Sequence, residues 1–553
     1  MSATVALVNG RFYTMNPNTP TATAVAIHNN RFVAIGNDDE MKSLLGAGGK
    51  VVDLNGHCVT PGLVDAHVHF HGYALQLQRV NLDGARSLDE ALNRVAAKVA
   101  TTPAGQWVRG RGWKHDDWDV IAFPNAQQLD AIAPDHPINF RDRSGHASWV
   151  NSAALKLAGI DKNTPDPPGG GIQRDADGNP TGILFETAIG LVEKHIPEPT
   201  AAQAVDAMRY AQTQCWQAGL TGIHDFDDRD CFIGLQTLHS NNELGMRFVK
   251  NVPDHRMEYA IGAGLRSGFG DDWLRIGGVK IFADGALGPR TALMVEPYEG
   301  EPNNYGMAVK DKEEMQAIAS AASANGLSVT VHAIGDRANH DILDVYEQVR
   351  KEERQRLESG DWGLASPESQ SRITNNQSPF LRHRIEHVQI LHHTDLDRLG
   401  KLNVIASMQP IHATSDMVVA DQNWGSRTQY SYAWRTMLDT GALLVFGSDA
   451  PVEPIEPLLG IYASVSRRNQ AGAPNPEGWH PEQKLTMAET IRAFTLAAAE
   501  TAGTATHQGS ITPGKLADLT VYDRDLFTIP QDEIRDVEVA GTMVDGEFKY
   551  QTW

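Results

Sequence analysis

Between residues 63 and 446 the chain returns eight times to a short, nearly unbroken apolar run, at 63–70, 220–226, 246–252, 276–283, 327–334, 383–388, 404–408 and 443–446. From the second run onward most are separated by stretches of helical composition, such as 312–324 and 339–357. Runs this short and this apolar suit strands covered on both faces, as in a parallel sheet with helical crossovers, better than half-exposed antiparallel ones. Eight such units are the number that closes a (β/α)₈ barrel. The expected fold class is therefore α/β, a TIM-like barrel over residues 61–499.

The ends have another texture. Residues 4–8, 24–28, 31–35 and 50–53 are short apolar or alternating segments broken by Asn-Gly, Asn-Asn and Gly-Asn turn signals. Segments 519–523, 537–540 and 541–544 repeat that texture, with Asp545-Gly546 as a tight turn. The termini, 1–60 and 500–553, are expected to meet in one small β domain. A large insertion at about 71–215 follows the first run, and one crossover helix cannot account for it. It contains GQWVRGRGWKHDDW (105–118), RDRSGHASWVNSAAL (141–155) and the Pro/Gly-rich TPDPPGGGI (164–172). Its expected place is the barrel mouth, where loops after the strands build active sites.

Composition narrows the partners. The formal charge is −21 and no segment concentrates Lys and Arg, which argues against nucleic acid and anionic membrane surfaces. Cys58, Cys215 and Cys231 lack CxxC spacing, so neither a disulfide framework nor a thiolate zinc site is expected, and a reducing cytoplasm suits them. No signal-peptide pattern opens the sequence, and no apolar window of about 18 residues suggests a membrane span. A small molecule is the expected substrate.

The chemistry concentrates at the runs' ends. In PGLVDAHVHF (61–70), His67 and His69 are two apart on a strand, so their imidazoles share a face and make half a metal site. His71 continues the alternation beyond the run and is a spare. Lys280, His332, His387 and Asp449 fall in or just after runs four, five, six and eight. Taken singly, His332 and His387 also read as ordinary polar residues at strand ends. Together the five strands could aim side chains at one point, because such barrels gather their chemistry at the strands' C-terminal ends. Lys280 in GVKIF is expected to be buried, where an ammonium without a partner is costly. It either pairs with Asp284 or, as a neutral amine, takes up CO₂ to give a carbamate able to bridge two metals. Asp449 is the catalytic candidate, a carboxylate that can touch a metal and accept a proton from its water. Its alternative is a helix N-cap in SDAP, a role that Ser448 could fill instead. His224 and Asp225 carry no assignment, and Glu386 is expected on the opposite face of its strand from His387. No GxSxG elbow occurs, and DGALGPR lacks the spacing of a phosphate loop.

The set HxH, Lys, His, His, Asp, opened by PGLVDAHVH and closed by GSDAPV, resembles the amidohydrolase superfamily. Within it the chain is similar to the branch of amidohydrolase family 3 that contains the N-substituted formamide deformylases. The likeness runs through GRGW, GHASWVNSAAL, GGGIQRDADGNPTGIL, VKIFADGALGPRTA, HAIGDRAN, RIEHVQ and PGKLADLTVYDRD, nearly the whole chain. It implies a distorted barrel with a small β-sandwich made from both termini, and one or two divalent metals, usually zinc. Such ligands also accept Mn, Fe or Co. By the same resemblance His67 and His69 hold one metal with Asp449, His332 and His387 hold the second, and Lys280 bridges as a carbamate. A homodimer is also compatible with it. Trp113, His146, Asn151, Arg290 and Gln409 are the expected substrate contacts, although Trp113 could be core and Arg290 could pair with a carboxylate. The reaction expected is hydrolysis of an amide C–N bond by metal-activated hydroxide, with Asp449 moving the proton. Rivals are an ester, lactone or phosphotriester hydrolase on the same fold and, more distantly, a non-catalytic binding protein.

Overall fold

The computed structural model describes residues 2–119, 121–360 and 380–553. Eight parallel strands lie in sequential order: β1 (Leu63–Val68), β2 (Leu220–Asp225), β3 (Arg247–Pro253), β4 (Leu274–Phe282), β5 (Val329–Ala333), β6 (Arg384–His387), β7 (Ile405–Met408) and β8 (Leu444–Phe446). Each coincides with one of the apolar runs. β2, β6, β7 and β8 are buried at every position, as strands flanked on both faces must be. The sheet curls into a nearly closed barrel whose two edges meet beyond β8. There Val68 bridges Ala450 in parallel, the Asp449 amide donates to the His67 carbonyl at 2.8 Å, and the His69 amide donates to the Ala450 carbonyl at 2.8 Å. Gly447 permits this approach, since a Cβ there would stand 2.5 Å from the His67 amide nitrogen.

Helices fill the connections. Lys312–Ala324 begins at Asp311, whose carboxylate accepts the Glu314 amide while Glu314 reaches back to the Asp311 amide, a reciprocal cap. The 24-residue helix Asp336–Ser359 follows β5 and packs against it.

The two ends of the chain share a sheet. Leu519–Tyr522 pairs antiparallel with Cys58–Pro61 inside a six-stranded sheet. A four-stranded sheet of Ala3–Val8, Ala24–His28, Arg31–Gly36 and Leu45–Asp53 contributes Leu7, Val25, Ile27 and Phe32 to one apolar cluster. The six-stranded sheet adds Phe12, Val59, Leu519, Val521 and Met543 to it. Segments 537–540 and 541–544 are not separate strands but one, Val539–Val544, because Gly541 continues the ladder against Leu519–Tyr522.

The chain divides into two compact units, one of residues 1–73 and 208–553, the other of residues 74–207. The second has its own six-stranded mixed sheet and an aromatic core around Trp113, Trp149 and Phe140. Among the described residues no helix is long and apolar enough to cross a membrane.

Candidate metal centre

The side chains expected at the site converge at the C-terminal end of the barrel. His67 on β1 and His69 just past it both turn Nε2 to one oxygen of Asp449, at 3.5 and 3.6 Å from Oδ1. The three donor atoms of this group lie within 4.8 Å of one another. His387, the last residue of β6, stands with its ring centroid 5.0 Å from that of His67 and 4.5 Å from that of His332 on β5. Lys280 on β4 places Nζ 4.5 Å from the centre of the Phe226 ring, which in turn stacks on His67 at 4.0 Å.

Each of these four imidazoles has one nitrogen tied to an acceptor. His67 Nδ1 donates to Glu386 Oε2 at 2.7 Å, His69 Nδ1 to Asp227 Oδ1 at 3.0 Å, and His387 Nδ1 to Gln409 Oε1 at 2.9 Å. His332 uses Nε2, donating to the Gly285 carbonyl at 3.0 Å. An acceptor at one nitrogen fixes the proton there and leaves the other nitrogen with a bare lone pair, the form a metal needs.

Burial sets the charges. It drives the imidazolium forms of His67 and His387 far down, helped by the charges of Lys280 and neighbouring histidines, and takes His332 to about 3. Neutral rings result. His69 goes the other way: burial opposes its charge, but the hydrogen bond and charge of Asp227 prevail and raise it. Burial lifts the Asp449 carboxyl above its ordinary range and takes the Lys280 ammonium down to about 8. Backbone strain gathers at the same place. His387, Val388 and Asp449 have φ of 76°, 45° and 64°, a left-handed region that a β-branched valine rarely enters.

These residues fit a metal. His67 Nε2 and Lys280 Nζ are buried and have no hydrogen-bond partner among the described residues, although burying a polar atom unpaired costs roughly 1–3 kcal/mol. Bare imidazole nitrogens beside a carboxylate are the donor set of a divalent cation site. The pairing of Lys280 with Asp284 does not occur. The Asp284 carboxylate instead accepts the backbone amides of Leu293, Ile334 and Gly335, at 2.9, 3.0 and 2.8 Å. Asp449 is no helix cap either, because the next helix, Pro457–Ser466, starts seven residues beyond Ala450.

The profile of the amidohydrolase family matches residues 50–550. The chain belongs to the amidohydrolase family. It is 33% identical to the Arabidopsis thaliana protein LONG AFTER FAR-RED 3, over 99% of this chain and 92% of that one. It is 29% identical to the N-substituted formamide deformylase of Arthrobacter pascens, over 99% of this chain and 98% of the relative. Among solved structures it resembles an uncharacterised metal-dependent hydrolase from Pyrococcus horikoshii OT3, with a TM-score of 0.74 and 27% identity, covering 95% of this chain and 99% of that one.

Other residues of this amidohydrolase depart from expectation. Glu386 does not turn away from the site: it holds His67, and Arg384 anchors it through Nη2 at 2.9 Å. Alternation along β6 does put Glu386 opposite His387, but the inward face is the one Glu386 occupies. His387 reaches the site because its left-handed φ breaks the alternation. His224, left unassigned, accepts from Arg384 Nη1 at 3.1 Å inside the barrel. Gln409 orients His387, and Arg290 pairs with Glu301, the alternative foreseen for it. In the 74–207 unit Trp113 is core, donating its indole N–H to the Phe140 carbonyl at 2.8 Å, yet it lines a pocket shared with His146, Phe123 and Glu186. Asn151 commits its side chain to its own unit. Oδ1 accepts the Ile138 and Ala154 amides, and Nδ2 donates to the His136 carbonyl. That capping role is the structural reason it is poorly suited to contact a substrate.

Sequence reasoning missed Asp227 and His412. Asp227 lies two residues past the end of β2, and His412 four residues past the end of β7, closing the QPIH segment. A polar residue just beyond a barrel strand is the signal that could have found both.

Proposed function

We propose that the protein is a metal-dependent hydrolase that cleaves an amide C–N bond, with an N-substituted formamide or a related small amide as substrate. The observation that carries this reading is the set of four imidazoles, each tied to an outer acceptor through one nitrogen, at the same end of the barrel as Asp449 and Lys280. His67, His69 and Asp449 would hold one divalent ion, zinc by preference, and His332 and His387 a second, with Lys280 bridging as its carbamate. A cation held there would supply a Lewis acid for the scissile carbonyl and would lower the pKa of water toward neutral.

The protein's own groups do the rest. Asp449, beside the bare nitrogens and lifted by burial, takes the proton of the attacking water and passes it to the departing nitrogen. Glu386 and Asp227 keep His67 and His69 in the required tautomer. Burial of Lys280 disfavours its ammonium and so favours the neutral amine. The terminal sheets, 1–60 with 500–553, serve as a small β-sandwich domain. Trp113 and His146, which line a pocket within the 74–207 unit, are candidate substrate contacts, and the enzyme works in the cytoplasm. A zinc-reconstituted enzyme should hydrolyse formanilide and other N-substituted formamides faster than their matched formate esters. Turnover of the esters or of phosphotriesters alone would replace the amide reading with its rival on the same fold.

A further inference from the structure

One histidine at the site breaks the pattern of the other four. His412 sits in the first turn of the helix Pro410–Trp424, directly after β7, and is buried. Its ring lies nearly parallel to that of His387, 8° apart with centroids at 6.0 Å. Its Nδ1 faces not an acceptor but the side-chain amide of Gln389, which donates to it from Nε2 at 3.2 Å. The ring proton is thereby placed on Nε2, the nitrogen that looks into the site. Nε2 stands 3.8 Å from Asp449 Oδ2, the oxygen turned away from His67 and His69, and that is too long for a hydrogen bond. Nε2 has no other partner among the described residues. An N–H cannot coordinate a metal, so the geometry that prepares the other four rings as ligands prepares this one as a donor.

We propose that His412 is a further catalytic residue, whose Nε2–H holds the substrate carbonyl oxygen as it becomes an anion. The inference rests on the hydrolytic reading of the same site. Water's oxygen bonds to the carbonyl carbon, the C=O π pair moves onto the oxygen facing His412, and the proton released by water goes to Asp449. The pair then returns, the C–N bond breaks, and Asp449 delivers its proton to the leaving nitrogen. Amide and water become acid and amine. Gln389 is a positioning residue that fixes the tautomer.

The test compares zinc-reconstituted wild type, His412→Ala and Gln389→Glu on formanilide and 4-nitrophenyl formate, with metal content measured on each. Removing one such donor lowers kcat by about 100-fold or more. His412→Ala should show that loss with KM little changed and zinc content intact. Gln389→Glu, which keeps the imidazole but offers Nδ1 an acceptor, should lose at least about tenfold in kcat. Zinc lost in His412→Ala would make the residue a ligand and overturn the proposal, as would an unchanged kcat in either variant. Ester turnover without amide turnover would sink the amide reading while leaving His412 to be judged on the ester. Should wild type turn over neither, binding of the tetrahedral anion phenylphosphonate decides. At least tenfold weaker binding by His412→Ala supports the donor; equal affinity, or no binding by wild type, rejects it.

Discussion

His383 and His387 bracket β6, four residues apart and both buried, yet they occupy opposite kinds of surroundings. At the strand's start His383 has both nitrogens engaged: Nδ1 accepts the Val329 amide at 3.0 Å and Nε2 meets Glu353 Oε1 at 3.0 Å. Glu353 is in turn bound by Arg350 Nη1 at 2.6 Å and by Ser323 at 3.1 Å. That network is closed, and it ties the helix Asp336–Ser359 to the strands. At the strand's end His387 has one nitrogen held by Gln409 and the other turned toward His67, His332 and Asp449. Burial alone therefore does not mark a functional histidine. What separates the two is whether the second nitrogen is satisfied, and the barrel keeps the open ones at the strands' C-terminal ends.

Substitutions on each side should break different properties. The largest effect belongs to the open end. Asp449→Asn removes the proton carrier and should lower kcat by about 10²–10⁴-fold, with the thermal midpoint nearly unchanged. A loss below tenfold would return Asp449 to a structural role. At the closed end, Glu353→Gln should leave the metal site intact and lower stability by about 3 kcal/mol, because it strands Arg350 and His383. Burial pushes the Glu353 carboxyl up, but the charges and hydrogen bonds of His383 and Arg350 prevail and hold it at about 2. A depressed carboxylate stabilises fully above the ordinary glutamate range near 4.5 and loses that contribution as pH falls through about 2. The stability gap between wild type and variant should therefore shrink from pH 5 toward pH 2 in denaturant titrations. A pH-independent gap would count against the ion pair.

Glu386→Gln lies between the two regions, since Glu386 joins Arg384 to His67. It should weaken metal affinity by about 10–100-fold, read by competition with a chelator, while the fold persists. The smallest effect concerns Lys280. Its amine is neutral above about 8 because burial disfavours the ammonium, so uptake of ¹³C-bicarbonate by chelator-treated protein should rise between pH 7 and 9. A carbonyl signal from a carbamate that persists in Lys280→Ala would assign it elsewhere.

Much of this was legible in the sequence because barrel strands carry a strong signal. β1 to β8 fall on the eight apolar runs, and the ligand types at 67, 69, 280, 332, 387 and 449 fall at their ends. The partners of those side chains were not legible. Glu386 was assigned to the wrong side because alternation assumes extended backbone, and the left-handed φ of His387 is a tertiary demand that local sequence does not announce. The place of His412 just past β7 was legible, but its role was not. Its significance depends on the polarity of Gln389, 23 residues away along the chain. Asn151 misled because a capping asparagine and a substrate-binding one look alike in sequence, and only the count of satisfied atoms separates them.

The central claim is that the open nitrogens exist to hold metal, and metal content tests it most directly. Full-length protein reconstituted with zinc and bicarbonate should retain close to two ions per chain, with the number falling in Lys280→Ala. Protein that stays folded yet retains no divalent ion under any loading condition would contradict the account.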